Sequence, residues 1–228
     1  MKQNNQRHHR HLRQLCVFGG LSLMILSHSF SSEINAQASE QKLKASYEAI
    51  RVNIRQGDLD KALFLLDKIQ ASTNKDAESH FLRGRILQEM KKNTEALTSY
   101  TLAIYLKPDM VKAYINRALV KGALVDTQGA IEDLNRALNL QPANAAALLN
   151  RGVTYASLNK PALALKDFNQ AIQIDGRYAD AFRNRGIIKY LMNDQQGACA
   201  DWAKSNELGP SDTLEWSRNL CRALQKVP

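Results

Sequence analysis

Arg83, Arg117, Arg151 and Arg185 recur at a constant interval of 34 residues, and the last three each precede an aspartate by sixteen: Asp133, Asp167 and Asp201. A guanidinium and a carboxylate can join two segments through a charge-assisted, bidentate fork. Repeated in register, that chemistry ties a structure together and turns over no substrate. A partly buried arginine needs an acceptor, so loss of Asp167 is expected to lower stability and to spare partner binding. In the stretch that holds Arg83 the sixteenth residue on is Ser99, so the pair there fails or finds another acid. Asn116, Asn150 and Asn184 keep the same 34-residue interval. A side-chain amide donates and accepts at once, which suits it to clamp an extended peptide backbone, although it can equally solvate a surface or cap locally.

Catalytic constellations are missing from the sequence. It holds no G-x-S-x-G, no H-E-x-x-H, no phosphate-cradling glycine loop and no second cysteine pair to complete a zinc site. Beyond the first 38 residues the only histidine is His80, which is expected to be structural rather than a general base. The chain is therefore expected to be non-enzymatic, with no cofactor and no metal.

The elements that position these ladders follow from further registers at the same step. Gly84, Gly152 and Gly186 share one with Ala118; Ala96, Ala130, Ala164 and Ala198 form another; Pro108, Pro142, Gly176 and Pro210 form a third. Leu148, Gly152 and Tyr155 lie on one helical face, and Ala164, Phe168 and Ala171 on a second. Small residues at the first two registers let paired helices approach closely. Turn-formers such as Gln56-Gly57-Asp58 and Asn159-Lys160-Pro161 stand between the helices, and the prolines break each hairpin from the next. The spacing predicts units at 43–76, 77–110, 111–144, 145–178 and 179–212, the first worn, with Ile50 in the small-residue place and Asn74 in the proline place. A closing helix is expected near 213–225, opened by Asp212-Thr213-Leu214-Glu215 and covering the last unit with Leu214, Leu220, Cys221 and Leu224.

Lys2, Arg7, Arg10 and Arg13 precede the mostly apolar run from Leu15 to Leu26, and Ala36-Gln37-Ala38 follows. This pattern reads as an export signal over 1–38, cleaved after Ala38, with no membrane insertion of the remainder. Twelve apolar-rich residues fall short of the roughly 20 that a bilayer span needs. The whole chain carries 31 basic and 22 acidic residues; without the leader 27 face 21, a balance of +6. No block of basic residues interleaved with aromatics points to nucleic acid.

Units such as Ala147-Leu148-Leu149-Asn150-Arg151-Gly152-Val153-Thr154-Tyr155, followed by Ala164-Leu165-Lys166-Asp167-Phe168, resemble the tetratricopeptide repeat, in its bacterial asparagine-arginine-glycine variety. The resemblance covers about 43–225. It implies an all-α, right-handed superhelical solenoid of helix-turn-helix repeats with a C-terminal capping helix, residues 39–76 forming a linker and degenerate first repeat and 213–228 the cap. It further implies a non-enzymatic scaffold that holds an extended or helical segment of another protein in a concave groove. Mapped onto this sequence, the groove takes Phe81, Arg85, Gln88 and Glu89, then Lys112, Ile115, Asn116 and Leu119, then Leu149, Asn150, Val153 and Ser157, then Arg183, Asn184, Ile187 and Tyr190, and the partner contacts expected are Lys112, Ile115, Asn116, Leu149, Asn150, Arg183 and Asn184. Lys112, Asn116 and Asn150 also resemble part of a carboxylate clamp, from which Asp180 departs because a like charge repels a carboxylate. The alternative role is structural: self-association or assembly of an envelope or photosynthetic-membrane complex through the convex or terminal surface. Export leads to the periplasm or envelope, or to the thylakoid lumen in a cyanobacterium. Ala198-Cys199-Ala200-Asp201-Trp202 with Cys221 resembles an ending of such arrays in which two cysteines link the last repeat to the closing helix. An oxidising compartment favours a Cys199–Cys221 bridge, and two packed thiols are the alternative.

Overall fold

The computed structural model describes residues 36–73, 76–209 and 219–222, and these are helical, with no strand among them. The leader through residue 35, Asn74, Pro210 and the closing segment with Leu214, Trp216 and Leu224 lie outside the described residues. The helices are α1 (36–56), α2 (Leu59–Thr73), α3 (Ala77–Glu89), α4 (Asn93–Leu106), α5 (Val111–Ala123), α6 (Thr127–Leu140), α7 (Ala145–Ser157), α8 (Pro161–Ile174), α9 (Ala179–Leu191) and α10 (Gln195–Leu208). Residues 219–222 are also helical. Two compact units divide at residue 65. In the first, the A-x-A residues Ala36–Ala38 lie within α1, which turns at Gly57, and Tyr47, Ile50, Ile54 and Ala62 are buried.

In the second unit α3 packs on α4, α5 on α6, α7 on α8 and α9 on α10, and each pair stacks on the next as repeats of a solenoid. The first helix of each pair has 13 residues and the second 14, so the hairpins superimpose in register. Side chains start several of them: Asp76 accepts from the Ser79 N–H, Asp126 from Gly129, Asn144 from Ala147 and Asp194 from Gly197. The second helices α4 and α6 stop two residues before Pro108 and Pro142, where the residue ahead of a proline is pushed out of helical geometry.

Chain reversal within each hairpin needs one residue in the left-handed region, and the residue recurs at the 34-residue step: Gly57, Lys91, Val125, Asn159 and Asn193, with φ of 82°, 61°, 65°, 54° and 66°. Glycine and asparagine adopt this conformation readily; a β-branched side chain does not. Val125 is 82% exposed, so no packing offsets its strain. Val125→Asn is expected to stabilise the array by about 1 kcal/mol, read as a higher midpoint in urea unfolding at unchanged slope. An unchanged midpoint would mean that the turn carries no such strain.

Close helix approach decides the core. A Cβ added at Gly84 would lie 2.6 Å from Tyr100 Cε1, at Gly152 2.6 Å from Phe168 Cε1, and at Gly186 2.6 Å from Trp202 Nε1. Each glycine therefore accepts the aromatic ring that its hairpin partner sends across. Tyr100 is fully buried; its hydroxyl donates to Gln88 Oε1 at 2.8 Å, and burial holds its phenol well above the usual range. Trp202 donates through Nε1 to the Arg183 carbonyl at 3.3 Å. In α5 and α6 the equivalent residues are Ala118 and Leu134, both buried in the core that runs on through Leu148, Phe168 and Ile188.

The arginines link three helices rather than two. Arg151 donates through Nε and Nη2 to the two Asp167 oxygens at 2.8 and 2.7 Å, and through Nη1 to Asn135 of the preceding hairpin at 2.7 Å. Arg117 does the same with Asp133 and Thr101, and Arg185 with Asp201 and Asn169. Asp133 and Asp201 receive a second cation, Lys121 and Lys189. Arg83, whose own hairpin has Ser99 in the aspartate place, turns back to Asp67 and Gln70 of α2. At the far end Cys199 of α10 is disulfide-bonded to Cys221, with Cα atoms 5.6 Å apart.

Candidate partner-binding groove

The first helices α3, α5, α7 and α9 also touch one another in succession, so one face of the second unit is built from them alone. On α5, α7 and α9 this face repeats a two-residue pattern one helical turn apart: an asparagine, then an aliphatic side chain. The pairs are Asn116 with Leu119, Asn150 with Val153, and Asn184 with Ile187. Leu119, Val153 and Ile187 are 41%, 42% and 39% exposed, at the same place in successive hairpins. On α3 the pattern breaks, because buried Leu82 holds the asparagine place and Arg85 the aliphatic one.

Two of the three amides use one N–H within their own helices. Asn116 Nδ2 donates to the Lys112 carbonyl at 2.9 Å and Asn184 Nδ2 to the Asp180 carbonyl at 2.8 Å, each one turn back along its own helix. An amide nitrogen carries two N–H groups, so each of these side chains keeps a second donor beside its Oδ1 acceptor. Lys112 is likewise engaged: Nζ meets both Glu78 oxygens, at 2.9 and 2.7 Å, and lies 4.4 Å over the centre of the Phe81 ring. This pair, 34 residues apart, rivets α5 to α3. Arg183 pairs with Asp180 at 2.8 Å. The acid that departs from the clamp pattern thus pairs with a cation of its own helix.

Two of the seven expected contacts need different roles. Leu149 is 8% exposed and belongs to the core, since its place on α7 points between the hairpins; Val153 provides the apolar surface instead. Ile115 is half-buried against the same core and, with Lys112, Glu78, Met110, Gln141 and Asn144, lines a cavity of about 410 Å³ at the end of the groove. Its polar walls largely satisfy each other, through Lys112 with Glu78 and Asn144 with Gln141. Among the described residues no cluster of His, Cys, Asp and Glu could hold a metal, and no helix is long and apolar enough to cross a membrane.

Stacked helical hairpins of 34 residues, with a face made of their first helices, define an α-solenoid of the interaction-scaffold kind. Tetratricopeptide-repeat profiles match residues 77–110, 111–144 and 145–178, and the chain is a tetratricopeptide-repeat protein. Among solved structures it is similar to PilW, described as a widely conserved type IV pilus biogenesis factor, with 20% identity and a TM-score of 0.70 over 81% of this chain and 86% of that one. It is also similar to PilF of Pseudomonas aeruginosa, with 15% identity and a TM-score of 0.69 over 80% and 89%. The third similarity is to MamA, with 20% identity and a TM-score of 0.60 over 68% and 91%. At these identities the likeness is one of fold. No curated protein sequence matches the chain.

Proposed function

We propose that this protein is a non-enzymatic scaffold that holds a segment of a partner protein on the face of α5, α7 and α9. The observation that carries the reading is the threefold repetition of an exposed aliphatic side chain beside an amide acceptor. Three aliphatic side chains held at the surface in register form a continuous apolar line that water solvates poorly, rimmed by polar groups that fix orientation. In this reading Asn116, Asn150 and Asn184 accept bonds from the ligand, Leu119, Val153 and Ile187 bury its apolar side, and Lys112, Ile115 and Arg183 shape the ends. Hairpins 77–110 to 179–212 form the working array, 39–76 its worn first repeat and 213–228 its cap.

Export and an envelope location belong to the same proposal. Support comes from the leader pattern over 1–38 and from the Cys199–Cys221 disulfide, a bond that persists in oxidising compartments. PilW's description as a biogenesis factor is compatible with an assembly role. The test is an affinity capture from envelope extract with the chain from Ser39, beside an Asn116→Ala/Asn150→Ala/Asn184→Ala variant of equal melting temperature and a Val153→Glu variant. A partner retained by the native chain and lost by both variants is the expected result. Equal retention by all three would move the function to another surface, for which the outer stripe of α4 is the specific alternative: Leu102, Tyr105 and Leu106 share one helical face and are all exposed.

A further inference from the structure

We infer that the outer face of α4 binds a second copy of this chain, α4 lying antiparallel to α4 across a twofold axis; this goes beyond the groove reading and does not depend on it. Leu102 and Tyr105 are 42% and 80% exposed. The repeat supplies its own control for them. One, two and three hairpins further on, the place of Leu102 holds Arg136, Gln170 and Lys204, and that of Tyr105 holds Asn139, Gln173 and Glu207. Packing of the array therefore asks for nothing apolar at either place. Leu106 extends the same face, although its equivalents Leu140, Ile174 and Leu208 show that its own place is apolar throughout. An exposed aliphatic side chain and a mostly bare phenol ring, one turn apart, are an excess that folding does not explain.

Charge selects the occupant. Over its 14 residues α4 carries one charged side chain, Glu95 near its start, and its C-cap is Lys107. Both are exposed, and neither forms an ion pair among the described residues. Between them the outer face holds Thr98, Thr101, Leu102, Tyr105 and Leu106, with no charge. The two threonine hydroxyls donate to the Thr94 and Leu97 carbonyls of their own helix, at 3.2 and 2.8 Å. A twofold contact sets a patch against its own copy, so it tolerates charge only where opposite signs meet. Antiparallel α4 helices satisfy this: the uncharged middles face each other, and the acid at the start of one helix comes beside the base at the end of the other. An axis between Thr101 and Leu102 sets Tyr105 of each copy opposite Thr98 of the other, a large residue against a small one, and brings Glu95 within one residue of Lys107.

Such an interface is small. A tyrosine buries about 150 Å², and one stripe from each copy stays below roughly 1,200 Å² in total, which suits a reversible dimer with a Kd on the order of 10 μM. The contact uses a second helix, whereas the face of α5, α7 and α9 is built from first helices, so the dimer presents two grooves. Two linked grooves hold a repeated ligand at a higher effective concentration than either alone.

Sedimentation equilibrium of the full chain between about 1 and 300 μM tests this. The native chain is expected to pass from monomer to dimer across that range. Leu102→Arg/Tyr105→Asn copies the α6 residues into the same places of α4, which keeps the fold, and should raise Kd about tenfold or more. Glu95→Lys should raise it about threefold at low salt, and Lys107→Glu added to it should restore the native value, because the reversed charges meet again. Melting curves verify that the variants fold. A mass that stays monomeric, a dimer that Leu102→Arg/Tyr105→Asn leaves unchanged, or no recovery in the double charge reversal would overturn the antiparallel pair. Loss of a captured envelope protein by Leu102→Arg/Tyr105→Asn, without self-association of the native chain, would give the face to a foreign partner and overturn it as well. The Asn116→Ala/Asn150→Ala/Asn184→Ala variant should dimerise as the native chain does, so failure of the dimer and failure of the groove are read separately.

Discussion

Asp167→Ala is expected to cost about 3 kcal/mol of stability. The carboxylate is 2% exposed and receives two bonds from Arg151, whose guanidinium it holds above its ordinary pKa through those bonds. Removing one partner of such a pair leaves the other charge without compensation, and that uncompensated charge is the larger part of the loss. Arg151 is itself about one-fifth exposed, so water relieves some of it and the lower end of the usual range applies. A more exposed arginine–aspartate pair in the same molecule gives a contrast. Arg83 pairs with Asp67, sixteen residues before it and in the place that Thr101, Asn135 and Asn169 hold in the later hairpins; Asp67 is 57% exposed, and Asp67→Ala is expected to cost under about 1 kcal/mol. Because Arg151 also bonds Asn135, losing its anchor should loosen α7 from the preceding hairpin as well as from α8, and should blunt the cooperativity of unfolding. Chemical denaturation of both variants measures the difference. Equal losses for Asp67 and Asp167 would show that neither burial nor the two-bond fork adds to the contribution of the charge pair.

The 34-residue registers made the hairpins and the Arg–Asp forks legible, because equivalence between repeats tells which residues share a face and a partner. They could not tell which donor of a group is already spent. Asn116 looks identical in sequence whether its amide faces a ligand or the carbonyl of Lys112, one turn back. The same limit hid the third bond of each arginine: its acceptors Thr101, Asn135 and Asn169 differ in type, so they form no visible register, although they lie sixteen residues before their arginines as regularly as the aspartates lie after. Leu149 and Val153 are both aliphatic members of α7, and only the angle at which the hairpins stack sends one into the core and leaves the other outside. Asp180 was legible as a departure from a cation clamp, but its use as the partner of Arg183 depends on side-chain geometry.

Gly152→Ala is expected to cost about 2 kcal/mol, although alanine favours a helix over glycine by about 1 kcal/mol. The new Cβ would sit 2.6 Å from Phe168 Cε1 and 2.9 Å from Cδ1, distances that no rotation of a fully buried ring relieves cheaply. Either the ring leaves its rotamer or α7 moves away from α8, and that separation would disturb Arg151 and Asp167 on the same two helices. The protein itself contains the remedy. Where the first helix carries glycine, the partner residue is aromatic, as in Gly84 with Tyr100, Gly152 with Phe168 and Gly186 with Trp202; where it carries Ala118, the partner is Leu134. Gly152→Ala combined with Phe168→Leu copies the α5–α6 pair into α7–α8. The double variant should be more stable than the sum of the two single losses by about 1–2 kcal/mol, since contacting residues couple. Additive losses would mean that the backbone separation between these helices is set elsewhere, and that the glycine register follows the aromatic residues without making room for them.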